Sequence, residues 1–313
     1  MKYVIKKIII LIITLLVISF LTFIAFQIIP GDSAITALGT DATKEAVQAI
    51  REELGLNKPF LVRYGTWLSG IIKGDFGIST QYNIPVTSLV MDRFPVTFYL
   101  ALLSILLIIL CGVPFGILSV KKEGGILDRM IVFVSQFNMA IPPFFLGMLI
   151  TLIFGLILKL FTPGAYISIE ENYLGFIQYL IFPAIAIALP KIAMLVKFLR
   201  SSLLRQLKLD YVRTARSKGN DENQILYKHV LKNALIPVIT LLAMMIAEVF
   251  AGSIMIEQVF SLPGLGRLLV VAISNRDYPV VSAIILYIAF VIVFINFLVD
   301  ILYRYIDPRI RIA

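Results

Sequence analysis

The sequence is poor in the residues from which catalytic and metal-binding sites are usually built. It holds one cysteine, Cys111, and one histidine, His229, among 313 residues. A lone cysteine excludes a disulfide within the chain, and a lone histidine excludes both a Ser-His-Asp triad and a multi-histidine metal site. The segment Gly264-Leu265-Gly266 lacks the third glycine and the strand context of a phosphate-binding loop. The composition therefore favours a protein that is not an enzyme and needs no cofactor of its own.

Charged residues are scarce as well. They make up 15% of the chain, whereas 59% is hydrophobic and the mean hydropathy is +0.95. A soluble domain carries roughly 25% charged residues, so this chain cannot cover a globular surface with polar groups. The sequence predicts an all-α bundle solvated by lipid. The net charge of +9 is then explained by Lys and Arg retained on the cytoplasmic side rather than by a nucleic acid partner.

Six segments are apolar enough to cross a membrane, which takes about 20 helical residues at 1.5 Å each. The first span follows three lysines, as in a signal peptide, but it ends in Gln27-Ile28-Ile29-Pro30, which is not a cleavage site. We therefore expect it to remain in the protein. The predicted spans are 8–29, 97–120, 130–158, 172–190, 236–256 and 278–299.

The distribution of basic residues predicts the orientation of the chain. Six spans place both termini on one side, and most of the 28 Lys and Arg residues then fall on that same side. The positive-inside rule accordingly predicts cytoplasmic termini. Two connecting segments are long: 30–95, predicted outside with a helix-like stretch at 43–54, and 191–233, predicted inside and helical but too polar to enter lipid.

Several residues within the spans allow more than one interpretation. An acid such as Glu248 at the bilayer centre costs at least about 2.5 kcal/mol, so it should face the bundle or a wet cavity. A structural hydrogen bond and a role in substrate binding or gating both remain open. Gly112 and Gly116 are spaced for close helix packing. Prolines should kink or interrupt the helices at positions 114, 142, 143, 183 and 190.

The inner segment contains the most specific motif, DYVRTARSKG at 210–219. It resembles the coupling segment of ABC importer permeases, in which Glu-Ala-Ala is followed by three residues and a glycine. Ala215 and Gly219 match that pattern, whereas Arg213 and Thr214 depart from it as in the B-type permeases of dipeptide, oligopeptide and nickel importers. Gly219 would allow a positive φ between two short helices. The alternative is an ordinary basic loop that only fixes topology.

Further short motifs extend this resemblance over nearly the whole chain. They occur in the family's order at 30–32, 54–59, 74–77, 257–266, 276–279, 300 and 307–309. The resemblance implies a type I ABC importer fold in a bacterial or archaeal inner membrane. It also implies a second, non-identical permease, two ATPases that bind ATP and Mg²⁺, and an extracytoplasmic solute-binding protein. The segment Arg213, Thr214, Ala215, Lys218 and Gly219 would contact the ATPase.

Two groups of residues at the outer ends of the last spans have competing interpretations. Pro263, Gly264 and Arg267 follow span five, and Arg276 and Asp277 precede span six. They would contact the binding protein or form an external gate, or else they only set the geometry of a turn.

The sequence allows more than one interpretation of the transported solute and of the energy source. The lack of a His, Cys and carboxylate cluster favours di- or oligopeptides, and nickel or a chelated metal is the second choice. A secondary transporter driven by an ion gradient would place several charged residues in the spans, whereas the predicted spans contain only Glu248. A non-transporting scaffold would not explain a structured inner segment.

Overall fold

The computed structural model describes residues 2–28, 48 and 58–306, which are helical apart from turns and one isolated bridge between Ile78 and Pro85. A helical turn, Glu222–Gln224, and a π-helix, Ile225–Val230, directly precede the helix Leu231–Val259. The helices are α1 (Lys2–Ile28), α2 (Phe60–Ile72), α3 (Val86–Lys121), α4 (Ile126–Ala140), α5 (Pro143–Ile150, continued by a π-helix over Thr151–Ile157), α6 (Tyr173–Leu207), α7 (Asp210–Ser217), α8 (Leu231–Val259), α9 (Leu265–Ser274) and α10 (Tyr278–Ile306).

Among the described residues, five helices are long and apolar enough to cross a membrane, and α4 with α5 makes a sixth if the pair counts as one span. That pair is bent by 101° within the predicted span 130–158, at the position where the sequence predicts that Pro142 and Pro143 kink or interrupt the helix. Pro142 removes a backbone donor and forces Ile141 into an extended conformation, with φ −94° and ψ 125°. Two consecutive prolines therefore break the span.

Single prolines have a smaller effect than the sequence suggests. The predicted fourth span ends at Pro190, but α6 runs without a break through Pro183 and Pro190 to Leu207. The helix continues past the predicted end of the span because the apolar run resumes directly after Lys191 and apolar packing sustains it, and the span boundary itself stays a prediction. Lys191 consequently lies inside a long helix, and the inner segment predicted from 191 begins with helical residues of α6.

The described residues form two compact units. In the first, which contains the described residues up to Pro95 and Leu268–Phe294, α2 packs on α1. The hydroxyls of Ser19 and Tyr64 are 2.8 Å apart, and Phe23 contacts Tyr64 and Trp67. Trp67 therefore lies in a helix and not in a loop. The predicted helical stretch 43–54, apart from residue 48, and the family motifs at 30–32, 54–57 and 307–309 lie outside the described residues.

The second unit contains Val96–Arg267 and the described residues from Ile295. Its core places α3 against α6, where a Cβ on Gly112 would lie 2.6 Å from Leu195 Cδ2 and one on Gly116 would lie 2.9 Å from Leu199 Cδ2. The predicted packing role of these glycines is confirmed.

A buried carboxylate joins three helices of the same unit. Arg200 on α6 donates two hydrogen bonds to Asp128 on α4, at 2.9 and 2.8 Å, and Ser119 on α3 donates a third. The backbone N–H of Gly124 also donates to Asp128, at 3.0 Å. A buried charge needs this degree of pairing to be tolerated, so the network fixes the ends of α3, α4 and α6 relative to one another.

Candidate functional site

The predicted coupling segment forms a short helix followed by a tight turn. Helix α7 buries Val212 and Ala215 in the core of the second unit, together with Ile225 and Leu203. Gly219 has φ +83°, so the predicted positive φ is confirmed, and its N–H donates to the carbonyl of Arg216 at 2.9 Å. The turn is thus built on the conformation that glycine adopts without strain.

The opposite face of α7 is exposed and basic. Arg213, Thr214 and Lys218 are exposed, whereas Ala215, predicted as a contact residue, is buried and anchors the helix instead. Arg216 donates two hydrogen bonds to Glu222 across the turn, at 2.7 and 3.1 Å. The hydrogen bond with Glu222 raises the pKa of Arg216. The segment is therefore a braced, positively charged unit at the end of an apolar helix.

The turn after α8 is organised by a carboxylate that the sequence interpretation treated only as part of a motif. Glu257 is fully buried, and it accepts hydrogen bonds from the Thr97 hydroxyl at 2.7 Å and from the Arg267 N–H at 3.0 Å. The same hydroxyl of Thr97 accepts from the Leu265 N–H at 2.9 Å. Glu257 thereby satisfies a donor that the first turn of α9 leaves free.

The two glycines of the turn are required for this close approach. A Cβ on Gly264 would overlap the Glu257 carboxylate, and one on Gly266 would overlap the backbone of Ile254. Of the predicted outer group, Gly264 is buried, Pro263 is partly buried, and Arg267 is exposed with its side chain bonded to the Ser261 carbonyl at 2.8 Å. This arrangement favours the interpretation in which Pro263 and Gly264 set turn geometry.

The other outer pair lies in the first unit and its two members differ. Arg276 is exposed and has φ +56°. Asp277 is fully buried, and it accepts hydrogen bonds from the Ser79 hydroxyl and from the N–H groups of Thr80 and Gln81 at 3.3 and 3.4 Å. Asp277 therefore orders the segment before α3, and of the pair only Arg276 presents its side chain on the surface.

Glu248 forms an ion pair with Lys191, across α8 and α6. Glu248 is not the sole charged residue in the long apolar helices, because Lys191 also lies inside α6. The signal was present in the sequence, since Lys191 is flanked on both sides by apolar residues. Counting charges in the spans therefore does not separate an ATP-driven importer from a secondary transporter.

Among the residues that the structure describes, no group of three or more His, Cys, Asp and Glu side chains lies close enough together to hold a metal ion.

Comparison with known families matches the chain along its whole length. Residues 112–312 match the family described as binding-protein-dependent transport system inner membrane component, and residues 1–101 match the N-terminal region of such membrane components.

Individual relatives are similar over the same extent. The chain is 38% identical over 312 residues to the oligopeptide transport system permease protein AppB of Bacillus subtilis, with 99% of each chain covered. It is 38% identical over 312 residues to the glutathione transport system permease protein GsiC of Pectobacterium atrosepticum, again with 99% of each covered. Identity to the dipeptide transport system permease protein DppB of Alkalihalophilus pseudofirmus is 34% over 332 residues, with 99% of each covered.

The fold also has a solved counterpart. A chain of the methionine ABC transporter MetNI in an inward-facing conformation superimposes with a TM-score of 0.56 at 18% identity, covering 70% of this chain and 96% of that chain. The likeness establishes the all-α permease fold predicted from the sequence.

Proposed function

Because the chain belongs to the family of binding-protein-dependent transport system inner membrane components, in which it is a permease subunit of an ABC importer, we propose that its solute is a di- or oligopeptide. The relatives named for oligopeptide, dipeptide and glutathione transport, each matched over nearly its full length, support this solute class. The chain forms the translocation path together with a second, related but non-identical permease. ATP and Mg²⁺ are bound by two ATPase subunits, and an extracytoplasmic binding protein delivers the peptide.

The observation that supports coupling to separate ATPase subunits is the braced unit formed by α7 and the turn at Gly219. Its buried face, Val212 and Ala215, fixes it to the core, while Arg213, Thr214 and Lys218 face outward. A charged, rigid surface of this kind is unsuited to lipid but suited to a soluble ATPase that pushes on the bundle. The unit lies on the cytoplasmic side, as do both termini, which agrees with the concentration of basic residues there.

Exposed residues near the end of α8 and the start of α10 are the candidate contacts for the binding protein. Arg267, in the first turn of α9, and Arg276, after the end of α9, are each exposed, and each is a candidate contact for a binding protein. Each arginine has a buried neighbour in its own unit, Gly264 beside Glu257 for Arg267 and Asp277 bonded to Ser79 for Arg276, and these neighbours fix the local backbone.

The proposal is tested by substituting Gly219 in the complete importer, reconstituted in vesicles with its ATPases and binding protein. A Cβ at Gly219 meets no atom within 4 Å, so only the backbone conformation opposes a side chain there. Asparagine tolerates positive φ, whereas a β-branched residue does so rarely. We expect Gly219→Val to abolish most ATP-driven peptide uptake, through loss of the ATPase or of coupling, and Gly219→Asn to retain it. Wild-type uptake by Gly219→Val would contradict the coupling role, and absence of peptide uptake by the unsubstituted importer would contradict the solute class.

A further inference from the structure

The ion pair between Lys191 and Glu248 is only partly shielded. The side chain of Glu248 is 50% exposed and that of Lys191 is 18% exposed, although both lie within helices that are apolar enough to cross a membrane. Exposure of charged groups to hydrocarbon is strongly unfavourable. The face that carries this pair must therefore look toward water or toward another protein subunit, and in a permease subunit both descriptions fit the translocation path.

Both groups retain unused hydrogen-bonding capacity. Among bonds within residues 2–28 and 58–306, the pair uses one ammonium hydrogen of Lys191 and one carboxylate oxygen, Oε2, of Glu248. An ammonium group offers three donors and a carboxylate offers two acceptor oxygens. A buried structural ion pair would have these positions filled, as Asp128 has in its contacts with Arg200, Ser119 and Gly124.

The surface around the pair is open and adaptable. On α8, Met244 and Met255 are 55% and 61% exposed, and they lie on the same helical face as Glu248. Ala251 and Gly252 are also exposed on that face, and a Cβ on Gly252 would meet no atom within 4 Å. Methionine side chains adapt to partners of different shape. A charged pair set among methionines and small residues suits ligands with fixed charged ends and variable side chains.

We propose that Lys191 and Glu248 together bind the two termini of a short zwitterionic peptide. The Lys191 ammonium binds the terminal carboxylate, and the Glu248 carboxylate accepts hydrogen bonds from the terminal ammonium. The termini of an extended dipeptide are separated by about 7 Å, so the ion pair opens when the peptide enters. The proposal rests on the proposed function and adds to it a residue, Lys191, and a feature of the solute, its two free termini.

Competition with the internal ion pair keeps the affinity low. In the empty state the two side chains neutralise each other, which lowers the cost of holding charges at this depth. A peptide must replace that contact to bind, and the pair re-forms when the peptide leaves. A translocation path must bind its solute strongly enough for the solute to enter and weakly enough for it to leave.

The test measures protection of a cysteine beside the pair, so it does not depend on what the binding protein accepts. In the importer purified with its partner subunits and carrying Cys111→Ser and Gly252→Cys, the labelling rate by a charged thiol reagent is followed at increasing concentrations of Gly-Phe, its C-terminal amide or its N-acetyl form. We expect half-protection by Gly-Phe at a concentration about tenfold below that of either analogue, since each analogue loses one charge-assisted hydrogen bond.

Substitutions of Lys191 and Glu248 should each abolish the preference for one free terminus of the peptide. Lys191→Met should make Gly-Phe protect as weakly as its amide, whereas Lys191→Arg should retain the preference. Glu248→Gln should remove only the preference over the acetylated peptide. Lys197→Met, which removes an exposed cation from the same helix, should change neither ratio.

The inference is overturned if Gly-Phe gives no protection, if the three ligands protect equally, or if Lys191→Met leaves the preference for the free carboxylate intact. Failure of the proposed function is a separate result, because it would appear as absence of ATP-driven dipeptide uptake by the unsubstituted importer. An importer that takes up the dipeptide while all three ligands protect equally would retain the proposed function and lose only this site.

Discussion

Two glutamates on helix α8 show how environment assigns different roles to the same side chain. Glu257 is fully buried near the end of the helix and is held by neutral donors, the Thr97 hydroxyl and a backbone N–H. Glu248, farther into the helix, is half exposed and is paired with the cation of Lys191. Glu257 holds the start of the next helix in place, whereas Glu248 is the residue that we propose binds the solute.

The two glutamates differ in which groups would lose a partner if the carboxylate were removed. Removing Glu257 leaves the hydroxyl of Thr97 and the N–H of Arg267 without an acceptor in a buried place, and each such donor costs about 1–3 kcal/mol. Removing Glu248 separates an ion pair whose carboxylate is half exposed, so water can reach the groups left behind and the loss should be smaller than for a fully buried donor. Stability should therefore depend on the first residue and transport on the second.

The largest expected effect is on the stability of the Glu257→Ala variant. With two buried donors unsatisfied, the free energy of unfolding should fall by about 2–6 kcal/mol. Glu248→Ala, the same change on the same helix, should lower it by less, because water can reach Lys191 and the site of the lost carboxylate. The measurement is the unfolding temperature of the purified permease complex in detergent. Equal shifts for the two variants would remove the distinction between the glutamates.

A smaller effect, with opposite signs at two positions, is expected for glycine substitutions near each glutamate. In Gly264→Ala the new Cβ overlaps the Glu257 carboxylate, and overpacking of this kind costs about 1–3 kcal/mol. In Gly252→Ala the Cβ points into open space inside a helix, so stability should rise by up to about 1 kcal/mol. The same unfolding measurement checks both variants, and a stable Gly264→Ala would show that the turn does not need the close approach.

The sequence predicts those features that depend on local pattern. The apolar runs predict the long apolar helices, the motif at 210–219 predicts the positive φ of Gly219, and the spacing of Gly112 and Gly116 predicts their contact with α6. Each of these depends on residues close together in the chain or on one helical face. Periodicity and local backbone preference are sufficient to find them.

The features that the sequence interpretation missed depend on distant partners or on packing. Thr97 and Glu257 are far apart in the chain, as are Ser79 and Asp277, so no local pattern reports that they meet. Pro190 was taken as the end of a span because proline removes a helix bond, but packing along α6 sustains the helix past it. Because the predicted span ended at Pro190, Lys191 was placed outside it and its pairing with Glu248 was not foreseen.

The central claim is that the face of α8 carrying Glu248 lines a water-filled path. It is tested most directly by labelling two adjacent positions in the Cys111→Ser background, in the assembled importer in membranes, with a charged thiol reagent. Gly252 is exposed on the face of Glu248, whereas Ser253 is buried at 1% exposure. Because the reagent reacts with the thiolate, which forms in water and not in hydrocarbon, we expect rapid labelling of Gly252→Cys and none of Ser253→Cys. Failure of the reagent to label Gly252→Cys in both resting and ATP-cycling importer would contradict the account.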